Sequence, residues 1–333
     1  MATAVSRYAY VFSVFKDPQY MLGAIVSAYS IKCTDTKYNL VCMTTPDISN
    51  SWTDLAKQIF DYVITVPYIQ GYTIDMKTRT QQKMYKGWKN ISFTKWNCMN
   101  LIQYEKILFI DADKVILENI DHLFDLQTPA GTFSSPFSDN YGKHSGRGIK
   151  DYFWNHKHGD NVETRLIQKG LKDGFVVIGT CILLKPCEKT YIEMLNTIES
   201  YTEDKPFGFP ECNSMIDEQF ICFQIKNNWT YISQKYNWIP WHSQWLRKDE
   251  YPPAVIHYFS TKPWVLQRSE YHDLEIWWDY VTQMIHNIYK DDKEVIKLYR
   301  EDQYNNLTFK GCSFCKILKK NNWESHSFMV HIK

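Results

Sequence analysis

Tyr104-Glu-Lys-Ile-Leu-Phe-Ile-Asp-Ala-Asp113 decides how this chain is read. Ile107 to Ile110 is a short apolar run of the kind that fills a buried strand, and it ends on two carboxylates one residue apart. In sheets built from alternating strands and helices, ligands gather at the carboxyl ends of the strands. Asp111 and Asp113 stand at such an end, where both can reach one divalent cation. Hard cations such as Mg²⁺ and Mn²⁺ take oxygen ligands and keep open positions for substrate phosphates. An Asp-x-Asp pair alone is a weak signal whose plain alternative is a solvated turn. The strand in front of it is what gives it weight.

Upstream, the alternation holds. Tyr8 to Phe15 reads as a buried strand stopped by Asp17-Pro18, with Pro18 placed to open a helix over Gln19 to Ile31. Tyr38 to Met43 is a second strand, Trp52 to Phe60 a second helix, and Tyr62 to Val66 a third strand ending at Pro67. Phe93 to Tyr104 is amphipathic and leads into Lys106 to Ile110. Strands alternating with helices predict crossover units, an α/β fold and a mainly parallel central sheet flanked by helices.

Downstream, Phe137 to Asp173 is polar and dotted with glycine, and reads as a long loop or lid, a class of segment that is often functional. His144, Arg147, Trp154, His156 and His158 could there stack on or hydrogen-bond a bound ligand. Apolar strand character returns at Phe175 to Leu184. Helices are predicted over Glu188 to Tyr201 and Met215 to Ile225, a strand over Val255 to Phe259, and a terminal helix over Asp273 to Tyr289. The chain divides into a catalytic domain over 1–270 and a C-terminal helix and tail over 271–333. Within the former lie a nucleotide-binding half (1–135), the polar insertion (136–174) and an acceptor half (175–270).

Two further clusters carry chemistry. His257 sits inside an apolar strand, where a histidine is most often a core residue, but Lys262 follows five positions on. A neutral imidazole can complete a metal site and an ammonium can neutralise phosphate. Asp217-Glu218-Gln219 opens an apolar helix. Carboxylates there commonly cap the helix, and could instead face a developing oxocarbenium ion or an acceptor.

Composition narrows the function classes. The 333 residues carry a net charge of +1, so nothing drives the chain toward nucleic acid or an anionic membrane. Aromatic residues reach 16%, with 12 Trp and 23 Tyr; their faces suit stacking on ring ligands, but bulky core residues are the preferred reading for most of them. No run of about 18 apolar residues exists to span a membrane. Met1 to Phe15 has neither a basic start nor a cleavage site, and the nine cysteines are odd in number and scattered. The expectation is a soluble, cytoplasmic protein whose sequons at Asn90, Asn228 and Asn306 are chance matches.

Taken together, five segments in order resemble the glycogenin-like branch of the family 8 retaining glycosyltransferases. These are Phe15-Lys-Asp-Pro-Gln-Tyr20-Met-Leu-Gly23-Ala24, Val41-Cys-Met-Thr-Thr-Pro46, and Phe93-Thr-Lys95-Trp-Asn-Cys98 with the strand to Asp113. Asn119-Ile-Asp-His-Leu-Phe124 and His257-Tyr-Phe-Ser-Thr-Lys-Pro-Trp264 follow. The resemblance implies a GT-A type fold. It implies Mn²⁺, with Mg²⁺ as substitute, on Asp111, Asp113 and His257, and a donor held by the Asp111-Ala112-Asp113 segment. Phe15 and Tyr20 would lie at the uracil, and Lys86, Lys95 and Lys262 at donor oxygens. Lys95, Asp217, Glu218 and Gln219 would form the catalytic set, with Glu218 standing where the family has aspartate. Val177-Ile178-Gly179 replaces the family's Asn-Ser-Gly. The implied reaction moves a hexose from a UDP-sugar to a hydroxyl with retention of configuration. UDP-glucose is the first candidate, and UDP-galactose, UDP-GlcNAc and UDP-glucuronate stay open. The acceptor, whether glycan, protein or small molecule, is not specified, and a homodimer is compatible with all of this.

The competing reading is a sugar- or nucleotide-binding protein of the same fold that no longer turns over, suggested by Glu218 and the missing asparagine. A nicotinamide dehydrogenase is set aside because no Gly-x-Gly-x-x-Gly follows the first strand. Cys312, Cys315, His326 and His331 have near-zinc-finger spacing, but a terminal tail with four scattered residues is the preferred reading over a structural Zn²⁺ site.

Overall fold

A computed structural model describes residues 6–133, 152–153, 155–239, 252–259, 262–265, 272–293 and 295. The zinc-spaced residues Cys312, Cys315, His326 and His331 lie outside them, as do His144, Arg147 and Trp154 of the polar insertion.

Strand β1 (Tyr8–Val14) is buried almost throughout because both of its faces are covered. Tyr10, Phe12 and Val14 enter one core and Ala9 and Val11 the other. A strand covered on both faces needs apolar residues at every position, which explains the continuous run. Helix α1 (Tyr20–Lys32) is buried on nearly every side, as expected of a helix without a polar face. Its small residues allow close approach: Ser30 bonds the Ser27 carbonyl at 2.7 Å and accepts the Ile116 N–H at 2.9 Å.

Next come β2 (Asn39–Thr44), α2 (Asn50–Ala56) and β3 (Tyr62–Thr65). Helix α3 (Arg79–Tyr85) is absent from the sequence-based expectation, although Thr78 and Gln81 form a capping box at its start. The amphipathic stretch before the Asp-x-Asp segment is a 3-10 helix, Ser92–Asn100, buried over most of its length. Then follow β4 (Lys106–Ile110), β5 (Lys114–Ile116) and β6 (Ala130–Phe133).

The end of the polar insertion is not a loop. It forms β7 (Asn161–Val162) and α4 (Thr164–Asp173), which bury Val162, Ile167 and Leu171. Polar neighbours dilute that narrow apolar stripe, so the average polarity of the segment hides it. His156 stacks on Tyr231 with ring centroids 6.0 Å apart, and His158 accepts the Ser233 N–H at 3.3 Å. After these come β8 (Val177–Leu184), α5 (Glu188–Glu199), α6 (Ile216–Gln224), β9 (Trp229–Tyr231), β10 (Val255–His257) and α7 (His272–Asn287).

The main sheet runs β3-β2-β1-β4-β8-β6-β9-β7. Its β3-β2-β1-β4 half is parallel, as predicted, whereas β8 is antiparallel to both β4 and β6 and β7 is antiparallel to β9. The mixed half is where the crossover pattern lapses in the sequence. A second, two-stranded sheet pairs β5 with β10, placing His257 opposite Lys114. Helix α7 contributes Trp277, Val281 and Met284 to the core that holds α1. Among the described residues, no helix is long and apolar enough to cross a membrane.

Candidate active site

The site forms where β4 ends. The Asp111 N–H donates to the Thr180 carbonyl of β8 at 3.2 Å, fixing the backbone as it leaves the sheet. The following strand, β5, pairs with β10, and this is what brings His257 to the Asp-x-Asp segment across more than 140 positions. His257 Nε2 lies 3.5 Å from Asp113 Oδ1, and the Lys262 ammonium is bonded to Asp113 Oδ2. Burial would raise the Asp113 carboxyl, but Lys262 and then His257 hold it well below the usual carboxylate range. Burial lowers the His257 imidazole to about 4 against the pull of Asp113, leaving it neutral at physiological pH. Burial pushes Asp111 up to about 6, against Lys95 and with the charge of Asp113 adding to the rise.

Lys95, from the 3-10 helix, reaches across to α6. Its ammonium lies 2.7 Å from Asp217 Oδ2, 3.9 Å from Asp111 Oδ1 and 3.4 Å from the Gly179 carbonyl. Burial opposes its charge, yet Asp111, Asp217 and Glu218 hold it above the ordinary lysine range. Gly179 lies inside this cluster: a Cβ there would stand 3.0 Å from the Glu218 side chain and 3.1 Å from Asp217 Oδ2.

The predicted catalytic set divides. Asp217 is the member ion-paired to Lys95. Glu218 instead spends both oxygens on backbone, accepting the Gly179 N–H at 2.7 Å and the Met215 N–H at 2.8 Å. Burial and the neighbouring Asp217 push its carboxyl up to about 8, with those two N–H groups opposing. Gln219 accepts the Phe209 N–H and donates to the Ser214 carbonyl, both at 2.8 Å, so it pins the turn before α6.

On the donor side, Tyr20 is half-buried. Its ring meets Trp264 edge-on at 5.4 Å and Trp88 at 6.1 Å, and the Lys262 ammonium lies over its face at 5.9 Å. Phe15 packs edge-on against Trp88 at 5.5 Å. The Ala112 carbonyl rests against α1 at Gly23, where a Cβ would stand 2.5 Å away.

Lys86 departs from its expected place. It is exposed at the end of α3, where its charge acts on Asp75. Its neighbour Tyr85 is the side chain that senses the site: burial raises its phenol to about 12, with Glu218 adding and Lys262 opposing. Sequence reasoning also passed over Trp88, Lys114, Thr180 and Asn237. Lys114 had a signal, as a lysine flanked by Asp113 and two β-branched apolar residues. Trp88 and Asn237 had none.

The donor set suits a divalent cation. Asp113 Oδ1 is buried without a hydrogen-bond partner and faces Nε2 of the neutral His257 imidazole, and a neutral imidazole beside an ionised carboxylate is a cation's ligand pair. Asp111, with its side chain 30% exposed, opens onto the same place. Among the described residues, no three such side chains close into a complete cage; the ammonium groups of Lys95 and Lys262 stand at the two aspartates instead.

Comparison with known proteins identifies the family of the chain. The model of "Glycosyl transferase family 8" matches residues 12–267. Galactinol synthase 3 of Arabidopsis thaliana is 26% identical over 302 residues, covering 82% of this chain and 80% of that protein. Human glycogenin-1 is 35% identical over 107 residues, 32% of this chain and 29% of that one. Among solved structures, the glycosyltransferase GlyE of Streptococcus pneumoniae TIGR4 is 14% identical with a TM-score of 0.47, covering 82% of this chain and 60% of that one. The family match spans far more than half of the sequence and contains Asp111, Asp113, Lys95, Asp217 and His257, so this chain belongs to glycosyl transferase family 8 and carries its GT-A type α/β fold.

Proposed function

We propose that the protein is a retaining, metal-dependent hexosyltransferase that moves a sugar from a UDP-sugar, UDP-glucose first among the candidates, to a hydroxyl acceptor. The observation that carries this reading is the convergence of β4, β10 and the following turn on Asp113, with Lys95 and Asp217 beside the neighbouring Asp111. The relatives named galactinol synthase and glycogenin support it.

A dication bound to Asp111, Asp113 and His257 would offset the charge on a leaving diphosphate. The chain's own groups account for the remaining roles. Tyr20 offers an aromatic face for the base, flanked by Trp88 and Trp264. Lys262 and Lys95 offer fixed ammonium groups to donor oxygens, and preorganised charges of this kind contribute most where water is excluded. Asp217, 4% exposed at its side chain and held by Lys95, is the carboxylate placed to stabilise positive charge on the sugar. We read the parallel half of the sheet as the nucleotide side and α6 with β8 as the acceptor side.

The test is a panel of UDP-sugars scored by Mn²⁺-dependent UDP release, with and without candidate acceptors. Asp113→Ala should remain folded and lose several kcal/mol of transition-state stabilisation. Turnover within a few-fold of wild type after Mn²⁺ repletion would refute the assignment, and metal-dependent nucleotide binding without any turnover would favour the binding-protein reading.

A further inference from the structure

Three ammonium groups surround the Asp-x-Asp segment, and one of them is anchored unlike the others. Lys95 and Lys262 are each ion-paired with a carboxylate. Lys114 is fully buried, at 0% exposure, and its ammonium bonds the neutral amide oxygen of Asn237 at 2.6 Å. Thr180 donates its hydroxyl to that same oxygen at 3.0 Å, and the Thr180 carbonyl accepts the Asp111 N–H. Two donors on one amide oxygen fix the orientation of Asn237, itself 2% exposed. Burial lowers the Lys114 ammonium from the ordinary lysine range, with Cys181, Asp111 and Asp113 opposing, and the group is held rigidly without a carboxylate bonded to it.

Its placement is equally specific. Lys114 follows Asp113 directly and stands opposite His257 in the β5–β10 register, and its charge acts on Asp111, Asp113 and His257. An ammonium removed from water without an anionic partner is costly, so a fold that keeps one under a ligand set is shaping the field there. Asp111, Asp113 and Asp217 are matched by Lys95, Lys114 and Lys262, with His257 neutral. A balanced site of this kind has little pull on a bare dication. It is well suited to a dication that arrives with a diphosphate, whose opposite charges cancel together.

We propose that Lys114 is a positioning residue whose fixed charge biases the site against free metal and toward the diphosphate, so that metal and donor are taken up as a pair. This rests on the metal-dependent UDP-sugar reading above. A purely structural Lys114, tying the two sheets together, would stabilise both ligands alike. A field effect must act on them with opposite sign.

The experiment measures Mn²⁺ binding without nucleotide and UDP binding without metal, by calorimetry on the full chain. Two variants each lower the net charge at this point by one. Lys114→Gln keeps a donor for Asn237, and Asn237→Asp keeps Lys114 but pairs it. In both, Mn²⁺ alone should bind tighter, and UDP alone weaker, by roughly ten-fold. If either folded variant weakens both ligands together, or leaves both unchanged, Lys114 is structural and the proposal is overturned. Absence of UDP binding by the wild type even when Mn²⁺ is supplied with it would instead refute the function proposed above.

Discussion

Gly23 is the residue at which the fold and the site press most closely on one another. It lies in α1 under the Asp111-Ala112-Asp113 segment, and a Cβ there would stand 2.2 Å from the Trp264 ring and 2.5 Å from the Ala112 carbonyl oxygen. Ordinary contact begins near 3.4 Å, so Gly23→Ala requires both neighbours to retreat by roughly 1 Å. In an open helical position the same change would gain up to about 1 kcal/mol from helix propensity. Here overpacking should dominate, with a net cost of about 1–3 kcal/mol. The loss of function should be larger than that cost suggests. Ala112 connects the two aspartates and Trp264 flanks Tyr20, so the same displacement moves both the proposed metal side and the proposed base side of the site. A misplacement of about 1 Å can lower turnover on the order of 100-fold. The assay pairs thermal melting with UDP release measured well below the melting temperature. A variant at least as stable as wild type, and within three-fold of its activity, would show that the α1 contact does not hold the site in place.

Tyr20→Ala should weaken UDP binding by about 1–3 kcal/mol, the range for base–aromatic stacking, and unchanged affinity in a calorimetric titration would make Tyr20 a packing residue. Lys95→Met should destabilise the fold by about 3–5 kcal/mol at pH 7, because it strands Asp217 and Asp111 without their cation. Asp217→Asn should recover part of that loss, and a single-variant cost below about 1 kcal/mol in urea unfolding would contradict the buried pair. Asp273, 2% exposed in the first turn of α7, has its carboxyl pushed up from 3.8 to about 6 by burial. Its folded value exceeds its unfolded one, so its contribution is fully present below about pH 4 and is lost as pH rises through 6. Asp273→Asn should therefore be close to neutral at pH 4 and stabilising by up to about 3 kcal/mol at pH 8, and equal effects at both pH values would rule out a strained carboxylate.

The parallel half of the sheet could be read from the sequence because its information is local. A strand covered on both faces must be apolar throughout, so Tyr8–Val14, Asn39–Thr44 and Lys106–Ile110 stand out without knowledge of their neighbours. Asp111 and Asp113 were legible as candidates for the same reason, since ligands of such sheets gather at the carboxyl ends of the strands. Helix α4 was lost because Ile167 and Leu171 are the buried side chains of a segment that is polar on average, and α3 because it buries none of its side chains.

The site itself followed a different rule. Asp217 and Glu218 are adjacent, and successive residues of a helix point about 100° apart, so only one of them could face Lys95. The start of α6 at Ile216 settles the choice, turning Glu218 back onto Met215 and Gly179 and Asp217 toward the cleft. His257 reads as a core histidine until β10 pairs with β5. Lys114 reads as an oddity in a strand until Asn237 arrives from 123 positions away. The sequence alone therefore determined which segments are buried and which residue types could carry the chemistry. Which of those residues meet was decided by strand register and helix phase in the tertiary structure, because contacts between distant segments depend on geometry that no single stretch of chain contains.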